Sequence, residues 1–254
     1  MNKKFTILTA VYNSSRYLND WADSIIAQSY RPLELICVDD QSDDGGSEIL
    51  KDLSKKIKKE GIDFKSFRCD KKLYCGSSYN MALKYATGNY FGVLDSDDML
   101  EPHAIEFIVD IYEKNKKVAW IYTNYDKYTR RMDRIIKRGF CRHPGEYETI
   151  LQMESNGING YGHWRTFSDR LVNKNNLFGS GVKCCVDKHL GFRLEEEGVG
   201  MFVDRVCYKY RTRPSKDKTI VSKYPLRKIK AEVINKAKKR RKKSKVYSIL
   251  RYSG

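Results

Sequence analysis

The sequence predicts an α/β fold, a Rossmann-like doubly wound sheet of mostly parallel strands, followed by a basic helical tail. Two observations predict the sheet: apolar runs alternate with segments of helical period between residues 5 and 102, and acidic residues directly follow two of these runs. A third observation predicts the tail, because most of the excess positive charge lies after residue 222. In a doubly wound sheet, ligands bind outside the carboxyl ends of the strands.

The first two strand–helix units are read from their apolar spacing. The run "FTILTAV" predicts a strand, and "SSRYLNDWADSIIAQS" predicts a helix with Ser14 or Ser15 as its N-cap. A second strand, "LELICVD", leads through the turn-rich "DDQSDDGGS" into a helix over residues 48–59. The unit therefore repeats.

The next units continue the pattern. The segment "DFKSFRC" predicts a third strand, "SSYNMALKYA" a third helix ended by Gly88, and "YFGVLD" a fourth strand. Pro102 stands where the first turn of the following helix is expected. The carboxyl ends of the second and fourth strands then carry five aspartates, Asp39, Asp40, Asp95, Asp97 and Asp98.

Charge and composition exclude several classes of protein. Residues 223–254 carry thirteen Lys or Arg against Glu232, a net of +12, which leaves +5 of the total +17 for residues 1–222. Nucleic-acid binding by the whole protein is therefore not expected. No signal-peptide pattern and no run of eighteen apolar residues is visible, and the seven cysteines include no CxxC pair. We expect a cytoplasmic location with reduced thiols.

The stretch "DSDD" sets three carboxylates, Asp95, Asp97 and Asp98, at the mouth of a buried strand. Carboxylates this close repel one another, and a hard divalent cation such as Mg²⁺ or Mn²⁺ resolves the conflict because it prefers oxygen ligands. The alternative is a solvated turn in which an aspartate caps the following helix.

Two longer stretches, "TILTAVYNSSRYLNDWADSIIAQSYRPLELICVDDQSDD" and "YNMALKYATGNYFGVLDSDDMLEP", resemble glycosyltransferase family 2, the inverting enzymes of the GT-A fold. The resemblance covers residues 4–125 and implies that residues 1–125 bind a nucleotide sugar. Residues 126–222 would then form the acceptor-binding and catalytic-base half of the same domain, and residues 223–254 the basic tail.

The resemblance also implies roles for individual residues. Asp40 or Asp39 would accept a hydrogen bond from a uracil ring, and Asp97 with Asp95 would hold Mn²⁺ or Mg²⁺, with Asp98 behind them. The implied nucleotide-binding residues are Thr9, Ala10, Val11, Tyr12, Asp39, Asp40, Lys72, Asp95 and Ser96. Lys71, Lys72 or Arg165 would assist electrostatically at the diphosphate.

An inverting transferase also needs a base for the acceptor hydroxyl. The resemblance places an acid shortly before a helix that contains an arginine, and the stretch "EEEGVGMFVDRVCYKYR" offers Asp204 for this role. Glu195, Glu196 and Glu197 lie upstream as further acids. An unperturbed aspartate, with a pKa near about 3.9, is already ionised at neutral pH.

Other residues leave two interpretations open. His163 and His189 would be either a further metal ligand or acceptor contact, or structural. Trp120, Tyr161 and Trp164 would stack on a sugar face or belong to the core. The stretch "FGSGVKCCV" predicts a turn into a short strand and a flexible acceptor loop.

The sequence as a whole predicts transfer of a sugar from a UDP-linked donor to a hydroxyl of a glycan or lipid-linked acceptor. A nucleotide-sugar or polyanion binding module without turnover is the alternative. A sugar nucleotidyltransferase is disfavoured, because "AVYNSSRYL" stands where a glycine-rich, arginine-bearing loop is expected.

The tail is a basic amphipathic element, with Leu226, Ile229, Val233 and Ala237 on one helical stripe before a run of cations. Such a helix can lie on an anionic membrane surface, bind nucleic acid or dock on its own domain. The three alternatives predict different surfaces for that stripe.

Overall fold

The computed structural model describes residues 2–172, 176–214, 225–242 and 246–253. The helices are α1 (Leu18–Ile26), α2 (Gly46–Lys59), α3 (Cys75–Tyr85), α4 (Ala104–Lys114), α5 (Ile150–Ser155), α6 (Val186–Glu197) and α7 (Leu226–Arg241). The strands are β1 (Phe5–Val11), β2 (Leu33–Asp39), β3 (Ile62–Arg68), β4 (Tyr90–Val93), β5 (Met99–Leu100), β6 (Trp120–Tyr128), β7 (Ile135–Lys137), β8 (Arg165–Ser168), β9 (Gly200–Arg211) and β10 (Ile249–Arg251).

These strands form one ten-stranded sheet with the order β10-β9-β6-β8-β4-β1-β2-β3, and β5 and β7 pair with β9 and β6. The pairs β1–β2, β1–β4, β2–β3, β6–β9 and β9–β10 are parallel. Strand β8 runs antiparallel between β4 and β6. The predicted mostly parallel α/β sheet is confirmed.

Helices cover both faces of the sheet, so it has two hydrophobic cores. One core packs α1, α2 and α4 against the sheet around the fully buried Trp21 and Ile108. The other packs α3, α5, α6 and α7 around Phe167, Phe178 and Phe192, which are also fully buried. Near-continuous burial along β1 and β2 follows from this two-sided cover, since strands buried on both faces lose the apolar–polar alternation.

The predicted strands and helices of residues 5–114 appear at their expected places, with small shifts at the ends. A short 3-10 turn, Ser15–Tyr17, precedes α1, so the helix itself begins at Leu18. Helix α4 begins at Ala104, two residues after Pro102.

The segment around Asp204 differs from its prediction. The sequence predicts a helix after this aspartate, whereas Asp204 lies inside β9, which pairs in parallel with β6. The β-branched and aromatic residues of "MFVDRVCYKY" favour a strand, and the segment forms that strand instead of the predicted helix.

Helix α7 docks on the body of the protein. Val233 and Ala237, spaced four residues apart, are buried in the second core, and Ile229 packs beside them. Three cations of the helix pair with acids whose side chains are at most 3 % exposed: Lys230 with Glu154 at 2.7 Å, Arg240 with Glu196 at 2.8 Å and Arg241 with Glu195 at 2.5 Å. Three residues of the predicted apolar stripe therefore contact the chain's own domain, whereas the fourth, Leu226, is exposed.

Candidate active site

A cavity of about 510 Å³ opens at the carboxyl ends of β1 and β4. Its walls come from the end of β1, the turn Asp95–Asp98, the first turns of α3 and α6, and the end of β9. Leu226 and Lys230 of α7 also line it. The cavity therefore lies at the edge of the sheet where ligands of doubly wound folds bind.

Hydrogen bonds between neighbouring strands fix the floor of this cavity. Strands β1 and β4 pair in parallel from Phe5 with Tyr90, and the Leu94 amide continues the ladder by donating to the Leu8 carbonyl at 3.1 Å. Thr9 is fully buried and its hydroxyl donates to the Leu94 carbonyl at 2.9 Å. Thr9 thus joins the two strands, whereas Ala10, Val11 and Tyr12 line the cavity.

Asp95 presents its carboxylate to the cavity with about a third of the side chain exposed. The Tyr79 hydroxyl donates to one oxygen at 2.6 Å. The other oxygen lies 3.8 Å from both His163 Nε2 and an Arg165 nitrogen. The neighbouring Ser96 is buried, and its hydroxyl donates to the Ser14 hydroxyl at 2.8 Å.

The two following aspartates have partners of their own. Asp97 Oδ2 accepts from Arg213 Nε at 2.7 Å. The carboxylate of Asp98 accepts from the Tyr208 hydroxyl at 2.8 Å and from the Arg211 amide at 2.7 Å. Burial raises the pKa of Asp97, against the opposing effect of Arg213. Burial and the nearby Asp97 raise the pKa of Asp98 well above its usual range.

His163 is neutral in this environment, because burial and the adjacent Arg165 hold its pKa well below the usual value. An Arg165 nitrogen lies 2.7 Å from His163 Nδ1 and has only donor hydrogens. Nδ1 is therefore the acceptor, and the ring proton of the neutral imidazole is on Nε2, facing Asp95. Arg165 itself is buried, and its Nε has no hydrogen-bond partner among the described residues.

Part of this cluster has the chemistry of a metal site. Asp95, Asp98 and His163 offer ligand atoms within 4.8 Å of one another. Asp95 fits a divalent cation, because one of its carboxylate oxygens faces the cavity. The groups beside that oxygen, the guanidinium of Arg165 and the imidazole of His163, are both too far away for a hydrogen bond. Both Asp98 oxygens are already engaged, and His163 presents a proton rather than a lone pair. Asp97 fits as a second ligand once its ion pair with Arg213 is broken.

The predicted base-contacting residues have different surroundings. Asp40 lines the cavity, but its carboxylate accepts from the amides of Leu73 and Tyr74 at 2.6 Å and 2.9 Å. Lys72 donates to the Asp40 carbonyl at 2.9 Å and lies over the Tyr12 ring. These contacts order the loop that leads into α3.

Asp39 faces away from the cavity. Its carboxylate accepts from the Ser42 amide at 2.9 Å and from Arg68 at 2.8 Å, and it lines a separate pocket between β2 and α2. It therefore fixes the turn after β2.

Asp204 does not line the cavity. Its side chain is exposed in the middle of β9 and accepts a hydrogen bond from the side-chain nitrogen Nδ2 of Asn124 at 2.8 Å. Glu195 and Glu196 are buried against the cations of α7, and Glu197 pairs with Arg193 at 3.0 Å. The acids expected from this stretch thus stabilise packing around α6.

Asp187 lines the cavity instead, from the first turn of α6. Its side chain is 36 % exposed, and Lys188 Nζ lies 3.8 Å away. Lys188 donates to Glu154 at 2.7 Å, to Asn159 at 2.9 Å and to the Tyr161 carbonyl at 2.7 Å, which anchors this turn. The positive end of the helix dipole favours a carboxylate at this position.

Sequence reasoning did not identify Asp187 or Arg213. A signal for Asp187 was present, since an acid at the start of the helical "VDKHLGFRL" follows a glycine-containing turn. Arg213 carries no local signal, because its significance depends on contact with Asp97, which lies far away in the sequence.

Comparison with known proteins agrees with this geometry. Residues 6–174 match the sequence profile described as Glycosyl transferase family 2. Chondroitin synthase of Escherichia coli is 28 % identical over 206 residues, which cover 80 % of this chain and 28 % of that protein. Hyaluronan synthase of Pasteurella multocida is 26 % identical over 203 residues, which cover 80 % and 20 %. The chain thus spans less than a third of the length of these relatives.

Solved structures share the fold. TarS of S. aureus, residues 1–349 in complex with UDP-GlcNAc, superposes with a TM-score of 0.72 at 19 % identity, covering 92 % of this chain and 65 % of that TarS fragment. The mannosyltransferase PcManGT of Pyrobaculum calidifontis, in complex with GDP-Man and Mn²⁺, gives 0.65 at 14 % identity, covering 97 % and 66 %. Since the family profile matches well over half of the sequence, this chain belongs to glycosyl transferase family 2 and has the GT-A fold of a glycosyltransferase.

Proposed function

We propose that this protein transfers a sugar from a UDP-linked donor to a hydroxyl of a glycan or lipid-linked acceptor, with inversion at the sugar carbon. One observation carries the proposal: a single cavity joins the carboxylates and guanidinium groups at the ends of β1 and β4 with a half-buried carboxylate from α6. A binding module without turnover would not need that second carboxylate.

The donor would lie against the end of β1. Ala10, Val11 and Tyr12 would form the wall for the nucleoside, and the buried Arg165, whose Nε has no partner among the described residues, lines the same cavity and would face the diphosphate. A buried donor without a partner is costly, so a bound anion would stabilise this arginine. The UDP-GlcNAc complex of TarS supports a uridine donor for a cavity on the same fold.

Asp95 and Asp97 would hold Mn²⁺ or Mg²⁺. When bound, the ion would stabilise the negative charge that develops on the leaving diphosphate by several kcal/mol. The PcManGT complex with Mn²⁺ supports a divalent ion in this fold.

Asp187 is the general base in this proposal. Its carboxylate would accept the proton of the acceptor hydroxyl while that oxygen bonds to the anomeric carbon. The bond from this carbon to the diphosphate breaks on the opposite side, and the diphosphate leaves with the electron pair. Positioned bases of this kind contribute about 10²–10⁴ to a rate.

A donor panel tests the proposal. Purified protein is given UDP-, GDP- and CDP-linked sugars, and release of the nucleoside diphosphate is followed with and without glycan acceptors. Release from UDP-linked sugars, with tighter binding of UDP than of GDP or CDP by calorimetry, is expected. Binding of UDP-sugars without release under any condition would favour the binding module.

The acceptor would approach over α7. Leu226 and Lys230 line the cavity, and Arg227, Lys228 and Lys239 are exposed on the same helix.

None of the helices in the described ranges is long and apolar enough to cross a bilayer. The exposed cations of α7 lead us to propose peripheral contact with an anionic membrane surface, with about 1 kcal/mol from each nearby cation. Sedimentation with anionic liposomes at low and high salt measures this contact, and its absence at low salt would contradict the membrane part.

A further inference from the structure

The carboxylate of Asp97 already has a cation beside it. Arg213 Nε lies 2.7 Å from Asp97 Oδ2, and both side chains line the cavity. They are partly shielded, with 24 % of Arg213 and 14 % of Asp97 exposed. The residue proposed as the second metal ligand is therefore paired with an arginine.

The surrounding arginines have other partners. Arg211 pairs with Asp20 at 2.9 Å and donates from Nε to the Asp97 carbonyl at 2.6 Å. Arg165 contacts His163 and lies 3.8 Å from Asp95. Arg213 is thus the guanidinium group that directly neutralises the Asp97 carboxylate among the described residues.

Arg213 lies just beyond the last residue of β9, Arg211. The Thr212 amide still donates to the Tyr128 carbonyl at 3.0 Å, and Arg213 follows this last pairing residue, so its side chain can exchange partners while the strand stays paired. A guanidinium group can bind two oxygens of a phosphate group bidentately, as it binds the two oxygens of a carboxylate. A donor diphosphate bound in this cavity would therefore be an alternative partner within its reach.

We propose that Arg213 is an exchangeable counter-cation, which neutralises Asp97 in the empty site, competes there with a divalent metal ion, and transfers to the donor diphosphate when donor and metal bind. This inference rests on the proposed function and adds a positioning role. It predicts that metal and nucleotide bind cooperatively, because a nucleotide that attracts Arg213 releases Asp97 for the metal.

The test measures binding, without any transfer reaction. Mn²⁺ affinity is measured by electron paramagnetic resonance with and without UDP, and UDP affinity by calorimetry with and without Mn²⁺. In Arg213→Gln, Mn²⁺ alone should bind about tenfold tighter, whereas UDP without metal should bind about tenfold more weakly, each corresponding to about 1.4 kcal/mol. The mutual enhancement between the two ligands should shrink.

Two further variants complete the design. Arg68→Gln removes a comparable pair with Asp39 outside the cavity and should change neither affinity. Arg213→Lys keeps the charge, so it should retain wild-type Mn²⁺ binding while weakening UDP, even if the glutamine variant folds poorly. The proposal is overturned if a folded Arg213→Gln binds Mn²⁺ no more tightly than the wild type does. It is also overturned if Arg213→Lys binds Mn²⁺ as tightly as the glutamine variant is expected to. If the donor panel alone fails, with no release of nucleoside diphosphate, the binding results still decide whether Arg213 exchanges its partners.

Discussion

The two ends of the cavity are built by different kinds of contact. At the end proposed to bind the donor (the donor end), main-chain hydrogen bonds between β1 and β4 place Tyr12 and Asp95 within a few residues of paired strand ends. At the end proposed to bind the acceptor (the acceptor end), side chains position the first turn of α6. Lys188 pairs with Glu154, and Glu195 accepts from the Leu151 amide at 3.3 Å and pairs with Arg241 of α7. One end depends on the sheet, and the other on buried ion pairs.

This difference determines how each end tolerates substitution. A backbone ladder persists when one side chain changes, whereas removing one partner of a buried ion pair leaves an uncompensated charge, at a cost of about 3–5 kcal/mol. We therefore expect changes at the donor end to affect ligand affinity, and changes behind the acceptor end to affect folding as well.

The largest effect is expected for Asp187→Asn. The amide preserves size and hydrogen bonding but cannot accept the proton, so kcat should fall by about 10² or more while donor affinity stays near wild type. Asp204→Asn is the matched control, because Asp204 is exposed outside the cavity. Steady-state kinetics separates the two aspartates, and a greater loss in Asp204→Asn would restore Asp204 as the base.

A charge buried under α7 tests the acceptor end by stability. Val233 is 4 % exposed in the second core, so Val233→Asp should cost about 3–5 kcal/mol and lower Tm by on the order of 10 °C. Ala231→Asp places the same residue on the exposed face of the same helix and should shift Tm by at most a few degrees. Equal shifts in thermal unfolding would show that α7 does not depend on this packing.

A change at Asp40 tests the donor end. Its carboxylate accepts two backbone amides of the loop before α3, so Asp40→Ala should weaken UDP and GDP alike, by about tenfold, because the loop loses its anchor. Asp43→Ala, on the exposed side of the turn after β2, serves as the control. A selective loss of uridine binding in calorimetry would instead support direct contact between Asp40 and the base.

The smallest effect is expected for the pH dependence of stability, through His189 at the α6–α7 interface. Burial, with Arg240 and Arg193 nearby, lowers the pKa of His189 to about 4, from about 6.5 in an unfolded chain. The unfolded state therefore binds more protons between these values, so this residue removes stability as pH falls from about 6.5 towards 4. In His189→Asn, Tm should decline less steeply over this range, and an identical slope would argue against this contribution.

The same contrast explains how much could be predicted from the sequence. Strands β1 to β4 and their helices follow from apolar period and turn residues, and the edge that carries Asp95 follows from parallel pairing. Asp187 could not be chosen over Asp204 by spacing, because only the packing of α6 against α5 and α7 brings it to the cavity. The antiparallel insertion of β8, with Arg165 at its start, was likewise not predicted, since strand order depends on long-range pairing.

The short strand β10 has a consequence for the solubility of the protein. It pairs with Gly200–Phe202 and so covers the start of β9, where Met201 and Phe202 are nearly fully buried. An uncovered strand edge of this kind is a template for pairing with a second chain. In the far edge strand, β3, buried residues alternate with more exposed ones, and Asp63, Lys65 and Arg68 supply charges that discourage such pairing. A shortened chain that ends before Ile249 would therefore expose this strand edge and should self-associate more than a chain that keeps β10.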